Sequence, residues 1–237
     1  MKISVTKDDL ASGLQAVQNV VGARSTLPIL SNVLLVAGAK RLELRATDLE
    51  VSVHASVPAN VEREGATSMP AKRLFGLVRE IEASEIDIEV SDKEVATVQA
   101  GASKYKLNGI GADEYPQQAK FKESGKIKVG QAKFKEMIRK TGYAVSTDES
   151  RHVLNGINIV IAPDRLTLVA TDGRRLALVE EEIEGGTKGE FIVPNKAVAE
   201  LQRMLQSSGD VEIRLGNTHV EFTLPQEGGE DIVLHSK

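Results

Sequence analysis

The chain has 237 residues, enough for one or two domains, and 41% of them are hydrophobic, which is enough to build a core in each. It contains no cysteine, which excludes disulfides and thiolate metal sites, and its four histidines are scattered without the spacing of paired metal ligands. The net charge of −4 gives no whole-chain argument for nucleic-acid binding, so any such argument depends on where the charge lies.

The hydropathy pattern indicates neither export nor membrane insertion. No apolar run approaches the ~18 residues of a membrane-spanning helix. The N-terminal sequence MKISVTKDDL has no apolar stretch of the signal-peptide type. We therefore expect a protein without a membrane partner, and the absence of cysteine fits a reducing compartment.

Four amphipathic helices are predicted along the chain, each preceded by a short strand. Apolar residues recur at the helical period, for example at Leu10, Leu14 and Val17. Pro70 and Pro194 stand just before the second and fourth helices, where a missing N–H costs little. The predicted helices span residues 7–22, 71–81, 131–144 and 195–206.

Most of the remaining chain alternates apolar with polar or small residues, as half-buried strands do. This pattern predicts an α+β fold in which the helices pack on one face of antiparallel sheets. The segments with the clearest alternation are RLELRA (41–46), IDIEV (86–90), ATVQA (96–100), KYKL (104–107), RLTLVA (165–170) and VEIRL (211–215).

An internal repeat organises these elements. When the sequence is shifted along itself by 124 residues, ATD at 46–48 falls on ATD at 170–172, and PAK at 70–72 falls on PNK at 194–196. Because apolar positions also match at this offset, the repeat is not a chance coincidence of one motif. Each repeat is predicted to contain the order β-α-β-β-β twice.

The boundary between the repeats is predicted near residues 117–126, which are polar and lack a clear strand pattern. The predicted domains are therefore residues 1–121 and 122–237.

The charge is unevenly distributed along the chain. The four predicted helices together carry a net positive charge, although the chain as a whole is acidic. One interpretation is a surface that faces phosphate, formed by equivalent helices from each repeat. The alternative is that lysine and arginine are simply good helix formers on solvated faces.

Six segments in chain order carry a family resemblance: LPIL (27–30), ATDLE (46–50), PAKRL (70–74), LNG (154–156), ATDGRRLAL (170–178) and VPNKAVAELQRML (193–205). Together they resemble the bacterial DNA sliding clamp, the β subunit of the replicative DNA polymerase. The resemblance covers the whole chain, and its most specific part is the segment TDGRRLA.

The resemblance implies a DNA-clamp fold, in which two helices per domain line a hole and the sheets form the outer wall. Family members have three such domains, and two chains join head to tail as a homodimeric ring around duplex DNA. By this comparison the chain corresponds to the first two domains, and we expect the third to be absent from it. The implied role is that of a processivity factor in the bacterial cytoplasm, with no cofactor and no catalytic site.

The resemblance also implies three sets of site residues. A cleft that docks DNA polymerase, the clamp loader and repair proteins would use an apolar floor with polar anchors. KYKL is typical of an edge strand suited to sheet extension across a dimer interface. The implied DNA-facing residues are Arg24, Arg73, Arg151, Lys196 and Arg203; the cleft residues are Leu154, Thr171, Gly173, Arg174, Arg175 and Leu176; and the dimer-edge residues are Tyr105 and Leu107.

Structural alternatives exist for part of the cleft. Leu154 and Leu176 could belong to the core, and Thr171 to Gly173 could be a plain turn, because ATDLE in the first repeat matches them. Gly173, Arg174 and Arg175 differ from the first repeat and are therefore the stronger functional candidates.

Enzyme motifs are weak in this sequence. No segment matches a P-loop, and NGIGADE lacks the third glycine of a dinucleotide fingerprint. The acidic run from Glu180 to Glu184 favours a solvated edge over a metal site, because adjacent strand residues point to opposite faces. Asp48 and Asp172 are equivalent in the two repeats, which favours a role in turns over a catalytic pair. We expect no catalysis; the alternatives are a two-domain interaction scaffold and, more weakly, a hydrolase.

Overall fold

A computed structural model describes residues 1–22, 27–117, 121–148, 150–226 and 230–237. The chain forms two compact units: Met1–Gln118 makes up the first, together with the described residues between 227 and 232, and Ala119–Gln226 with Val233–Lys237 makes up the second. Among the described residues, none of the helices combines the length and the apolar character that a membrane crossing requires.

The first unit has two helices and two antiparallel sheets within its described residues. One sheet has the strand order β5-β1-β7-β8-β9, and in the other β10, β6, β2, β3 and β4 lie side by side. The elements are α1 (Lys7–Val17), α2 (Ala71–Glu80), β1 (Lys2–Thr6), β2 (Asn32–Gly38), β3 (Arg41–Thr47), β4 (Val51–Pro58), β5 (Asn60–Arg63), β6 (Gly65–Pro70), β7 (Glu85–Val90), β8 (Val95–Ala100), β9 (Ser103–Asn108) and β10 (Ile110–Gly111).

The second unit repeats this plan in its described part. One sheet has the order β14-β13-β12-β15, and in the other β18, β17, β16 and β11 lie side by side. The elements are α3 (Gln131–Gly142), α4 (Asn195–Met204), β11 (Glu123–Gly130), β12 (Gly156–Ile161), β13 (Arg165–Thr171), β14 (Leu176–Glu182), β15 (Gly189–Pro194), β16 (Asp210–Gly216), β17 (Val220–Leu224) and β18 (Ile232–Ser236).

The core of each unit lies between its helix pair and its sheets. Helix α1 packs on β3 and β4 and against α2, and α3 packs in the same way on β13 and β14 and against α4. Leu10, Leu14 and Phe134 are fully buried on the inner faces of these helices. The predicted α+β class and the order β-α-β-β-β, twice in each unit, are confirmed, with β5 and β10 as additions in the first unit.

Helices α2 and α4 are equivalent in the repeat and end in the same way. Each begins directly after a proline, Pro70 or Pro194. The carbonyl groups of Ile81 and Leu205, at equivalent positions after the two helices, each accept a hydrogen bond from a lysine ammonium. Lys7 is the donor in the first unit, and Lys135 Nζ is the donor in the second, at 2.6 Å. A cation at the C-terminus of a helix is favourable because the unpaired carbonyls carry partial negative charge there.

Two predicted boundaries were wrong. Helix α1 ends at Val17 and not at residue 22. The apolar period continued because Val20 and Val21 are buried, but they are buried in a turn, where Val20 N–H donates to the Val17 carbonyl at 3.3 Å. Strand β11 begins at Glu123, inside the segment predicted to lack a strand. Its first residues are mostly exposed and their register with β16 is irregular, so no alternating pattern marks them in the sequence.

Candidate functional site

The segment with the strongest family resemblance forms the loop between β13 and β14. Thr171 Oγ1 donates to the Arg175 carbonyl at 2.7 Å and accepts from the Gly173 N–H at 3.1 Å. Asp172 Oδ1 accepts the N–H groups of Arg174 and Arg175 at 2.9 and 3.0 Å. Side chains with local hydrogen bonds of this kind fix a tight turn without help from the rest of the fold.

The carboxyl of Asp172 has a pKa held below its ordinary value. The main causes are the two backbone N–H groups of Arg174 and Arg175, with a smaller effect of the Arg175 guanidinium. Arg175 Nε lies 3.0 Å from Asp172 Oδ2, which holds the start of the arginine side chain against the loop. The loop is thus fixed by the ionised form of Asp172.

The loop between β3 and β4 in the first unit has the same internal bonds. Thr47 Oγ1 donates to the Val51 carbonyl at 3.0 Å, and Asp48 Oδ1 accepts the N–H of Val51 at 2.7 Å. Leu49 has a positive φ of 81°, close to the 88° of Gly173 at the equivalent position. The Thr-Asp pair is therefore a structural turn in both units, and the prediction that the two aspartates serve turns is confirmed.

The two loops differ in the exposure of the side chains at their ends. Val51 is fully buried, whereas its equivalent Arg175 is exposed. Leu176 is 64% exposed, so the alternative that it belongs to the core is wrong. The Arg175 guanidinium carbon lies 5.6 Å from the centroid of the Tyr143 ring, within the range of a cation–π contact. Tyr143 itself is 61% exposed.

The short 3-10 helix His152–Leu154 adds further residues beside this loop. Leu154 is half-buried, and its carbonyl accepts the Ser146 N–H at 2.9 Å. A Cβ atom added to Gly173 would lie 3.6 Å from Arg151 Nη1, so Arg151 is adjacent to the loop. Val153, next to Leu154, is 72% exposed. The structure therefore brings Arg151, which the resemblance assigned to DNA, next to one of the predicted cleft residues.

A row of mostly apolar side chains continues from this loop across the solvent face of the sheet. Leu178 pairs with Val169, Val169 pairs with Asn158, and Asn158 pairs with Ile192, so these four residues form one row on the same face. Leu178 and Ile192 are both exposed, and Leu176 precedes Leu178 on the same face of β14. The loop thus presents arginines at the border of an exposed apolar surface, an arrangement that suits a peptide with apolar anchors.

Sequence reasoning did not place Tyr143 or Val153 beside this loop. Both stand outside the motifs of the resemblance, and the only signal was an isolated large apolar residue in a polar or turn context. Tyr143 directly follows α3, where a continuing helix was predicted, so its exposure could not be deduced from periodicity. Thr171 and Arg174 lie where the motif placed them, half-buried and exposed respectively.

The predicted DNA-facing residues have different surroundings. Arg73 is exposed on α2 and has no ion pair among the described residues. Arg203, on α4, donates from Nη2 to Glu200 Oε2 at 2.6 Å. Lys196 is half-buried at the start of α4. Arg24 lies outside the described residues.

The strand predicted as a dimer edge is β9. It is the last strand of its sheet in the described part of the chain, and whether it pairs with another chain stays a prediction. Tyr105 is partly exposed, but Leu107 is only 6% exposed and belongs to the core of the first unit. At this edge Leu107 therefore offers its backbone and not its side chain.

The acidic run on β14 alternates in exposure, as predicted for a strand. Glu180 and Glu182 are exposed, and Glu180 lies 3.5 Å from Arg165 Nη1. Glu181 is half-buried on the other face and forms an ion pair with Lys133 at 3.1 Å. Across the residues that the structure describes, no group of three or more potential ligands is arranged to hold a metal ion.

Comparisons with known proteins agree with this architecture. Residues 1–119 match the family described as DNA polymerase III beta subunit, N-terminal domain, and residues 128–228 match its central domain. The chain is 35% identical over 214 residues to the beta sliding clamp of Chlamydia trachomatis, covering 90% of this chain and 51% of that protein. It is 29% identical over 233 residues to the beta sliding clamp of Bacillus subtilis, covering 94% and 62%.

Two solved sliding clamps share the fold over the whole chain. The clamp from Bartonella birtlesii, bound to griselimycin, has a TM-score of 0.93 at 36% identity, covering 100% of this chain and 64% of that one. The clamp from Caulobacter crescentus has a TM-score of 0.92 at 34% identity, covering 100% and 65%. The fold is thus that of a DNA clamp. The chain belongs to the DNA polymerase III beta subunit family, and it spans between half and two thirds of the length of these relatives.

Proposed function

We propose that this protein acts as a DNA sliding clamp that encircles duplex DNA and tethers the replicative polymerase for processive synthesis. The observation that carries the proposal is that both units match the clamp family and its solved members along the whole chain. The role is that of a processivity factor in the cytoplasm with no catalytic site and no cofactor. Polymerase activity would belong to the holoenzyme that the clamp serves.

A six-domain ring made of two chains would need three domains in each chain. The family names an N-terminal and a central domain, which implies a further domain after them. We assign residues 1–121 to domain one and residues 122–237 to domain two, and a third domain would complete each chain of a head-to-tail homodimer. The free edge of β9, with Tyr105 exposed beside it, would extend the sheet of the neighbouring chain.

DNA contact in such a ring would be electrostatic and independent of sequence. Arg73 supports this role most directly, because its guanidinium is exposed on α2 and unpaired among the described residues. Arg24, Arg151, Lys196 and Arg203 are the further candidates. Phosphate contacts of this kind hold the duplex without reading bases, which permits sliding.

The loop between β13 and β14 would form one wall of a peptide-docking cleft. Leu154 and Leu176 would supply apolar floor, and Arg174 and Arg175 the polar rim, around the backbone of Thr171 and Gly173. The support is that Leu176 and Arg175 are exposed where the equivalent loop of the first unit buries Val51. The occupants would be short segments of the polymerase, the clamp loader and repair proteins.

The DNA-facing assignment is tested by the salt dependence of binding to a short duplex. Arg73→Ala should lower the log–log slope by about 0.9, the effect of one lost phosphate contact, without changing sequence preference. The control is Arg63→Ala, because Arg63 lies on β5, away from the helices, and pairs with Glu89 at 3.6 Å. Equal slopes for wild type and Arg73→Ala would place Arg73 outside the DNA-binding surface.

A further inference from the structure

Two arginines occupy equivalent positions on the equivalent helices α2 and α4. Arg79 and Arg203 are separated by the same 124-residue offset that relates the starts and the ends of the two helices. Each therefore occupies the same position in the last turn of its helix. The sequence motifs included Arg203 among the DNA-facing candidates but passed over Arg79.

The surroundings of the two arginines differ. Arg203 donates to Glu200 through Nε at 3.1 Å and through Nη2 at 2.6 Å, and Glu200 lies one turn earlier on α4. The carboxylate is almost completely covered, with 11% of its side chain exposed, while 32% of the arginine side chain is exposed. Arg203 is thus held against its own helix by a carboxylate that water reaches poorly, which strengthens the pairing.

Arg79 has no such carboxylate. The residue equivalent to Glu200 is Gly76, so no side chain stands three residues before Arg79 on α2. The Arg79 guanidinium carbon lies 5.8 Å from the centroid of the Phe75 ring, and the described residues offer it no acidic partner within ion-pair distance. A cation over an aromatic face keeps its full charge available to a third group.

Gly76 is exposed on α2, whereas Glu200 at the equivalent position of α4 is buried. With about 100° of rotation per residue, position 76 lies about 160° from Leu74, the buried residue two positions earlier. Lys72 and Arg79, four residues before and three residues after Gly76, flank it on the same face. A carboxylate at position 76 would therefore lie between the Lys72 and Arg79 cations.

We propose that Glu200 is an internal counter-ion that withholds Arg203 from DNA, so that of the two equivalent arginines Arg79 makes the larger contribution to phosphate binding. The inference rests on the proposed function, because it assumes that α2 and α4 both contact DNA. It then assigns a larger share of that contact to α2 than to its equivalent in the repeat, α4. A carboxylate within ion-pair distance offsets the charge that would otherwise release counter-ions from DNA. The first unit would bind phosphate more strongly, and the second would favour looser contact.

The repeat supplies a reciprocal exchange as the test. Glu200→Gln keeps the size of the side chain and removes its charge, and should tighten binding to a short DNA duplex by about twofold and raise the salt slope. Gly76→Glu places a carboxylate beside Arg79 and should weaken binding and lower the slope by a similar amount. A Cβ at Gly76 would meet nothing within 4 Å, so this substitution has room in the fold.

Gly76→Gln is the matched control, since it adds the same bulk without the charge and should leave the slope unchanged. Arg73→Ala distinguishes failure of the counter-ion proposal from failure of the DNA-facing assignment. If Arg73→Ala lowers the slope while Glu200→Gln and Gly76→Glu do not change it, the counter-ion proposal is wrong and the DNA-facing assignment stands. If Arg73→Ala has no effect either, the DNA-facing assignment fails and the counter-ion proposal fails with it. Thermal melts of each variant verify that the comparison is made between folded proteins.

Discussion

At the scale of single residues, the site is distinguished by exposed side chains on a turn that is itself ordinary. Thr171 and Asp172 make the same hydrogen bonds as Thr47 and Asp48, so their presence in a motif says little about function. Leu176 carries more information, because it is mostly exposed on the same strand as the exposed Leu178, and a cluster of exposed apolar side chains marks a binding surface more often than a single one does.

Leu176→Ala should therefore leave the fold almost unchanged and cost peptide affinity. A surface truncation changes the free energy of unfolding by about 0.5 kcal/mol or less, whereas loss of an apolar anchor weakens docking. The matched control is Leu168→Ala, since Leu168 is fully buried on β13 and its truncation should cost about 2–5 kcal/mol. Thermal melts and titration of a clamp-binding peptide against protein of the relatives' full length separate the two effects. Unchanged peptide affinity in both Leu176→Ala and Arg175→Ala would remove this loop from the cleft.

His54 gives a prediction about pH. Its burial on β4, and secondly the nearby Arg45 guanidinium, lower the pKa of His54 to about 4. In the unfolded chain the ordinary pKa is about 6.5. Between these values the unfolded state binds a proton that the folded state does not, so the free energy of unfolding should rise with pH from about 4 to about 6.5 and gain nothing further from His54 above that window.

Two measurements check the histidine. An NMR titration of the His54 ring should give a midpoint near 4, and His54→Gln should flatten the rise of stability across the same window. A midpoint close to 6.5 in the folded protein would show that the ring is hydrated and that the neighbouring guanidinium has little effect.

At the scale of elements, the repeat allows one substitution to be compared at two helices. A Cβ on Gly13 in α1 would lie 2.8 Å from Leu44 Cδ1 and 3.0 Å from Val57 Cγ1, and Leu44 is fully buried. Gly13→Ala should therefore destabilise the protein by about 1–3 kcal/mol through overpacking. Gly76→Ala on α2 meets nothing within 4 Å and should stabilise by about 1 kcal/mol, the difference in helix propensity. Equal effects of the two changes on chemical denaturation would mean that α1 does not approach β3 as closely as described.

The same elements show what the sequence could predict. Helices α2 and α4 follow from apolar period and a preceding proline, and both were predicted to within one or two residues. The predicted end of α1 was too late because Val20 and Val21 are apolar and would be buried in a helix as well as in the turn that they form. Hydrophobic periodicity cannot distinguish these two cases. The loop between β13 and β14 was selected as a candidate from its motif, but Tyr143 was not, because its contact with Arg175 joins the end of α3 to a loop over thirty residues away, beyond any local pattern.

At the scale of the whole molecule, the internal repeat determines which surfaces of the two units are equivalent. Two units with the same order of elements present equivalent helices, and Arg203 on α4 is paired with Glu200 whereas its equivalent on α2, Arg79, follows Gly76. A clamp needs a basic surface that attracts the phosphates of DNA but does not bind tightly at one position along the duplex. A carboxylate that offsets part of the positive charge of this surface would supply that balance.

Encirclement of DNA is tested most directly by retention on circular DNA. Protein of the relatives' full length, carrying the domain that follows the central one, should be loaded onto a nicked plasmid and passed through a gel-filtration column. We predict that it elutes with the circular plasmid at a salt concentration that abolishes binding to a short duplex, and that it is released when the plasmid is cut at one site. Release from the uncut circle at that salt concentration, or equal retention on the linear plasmid, would contradict topological encirclement and favour a scaffold that never surrounds DNA.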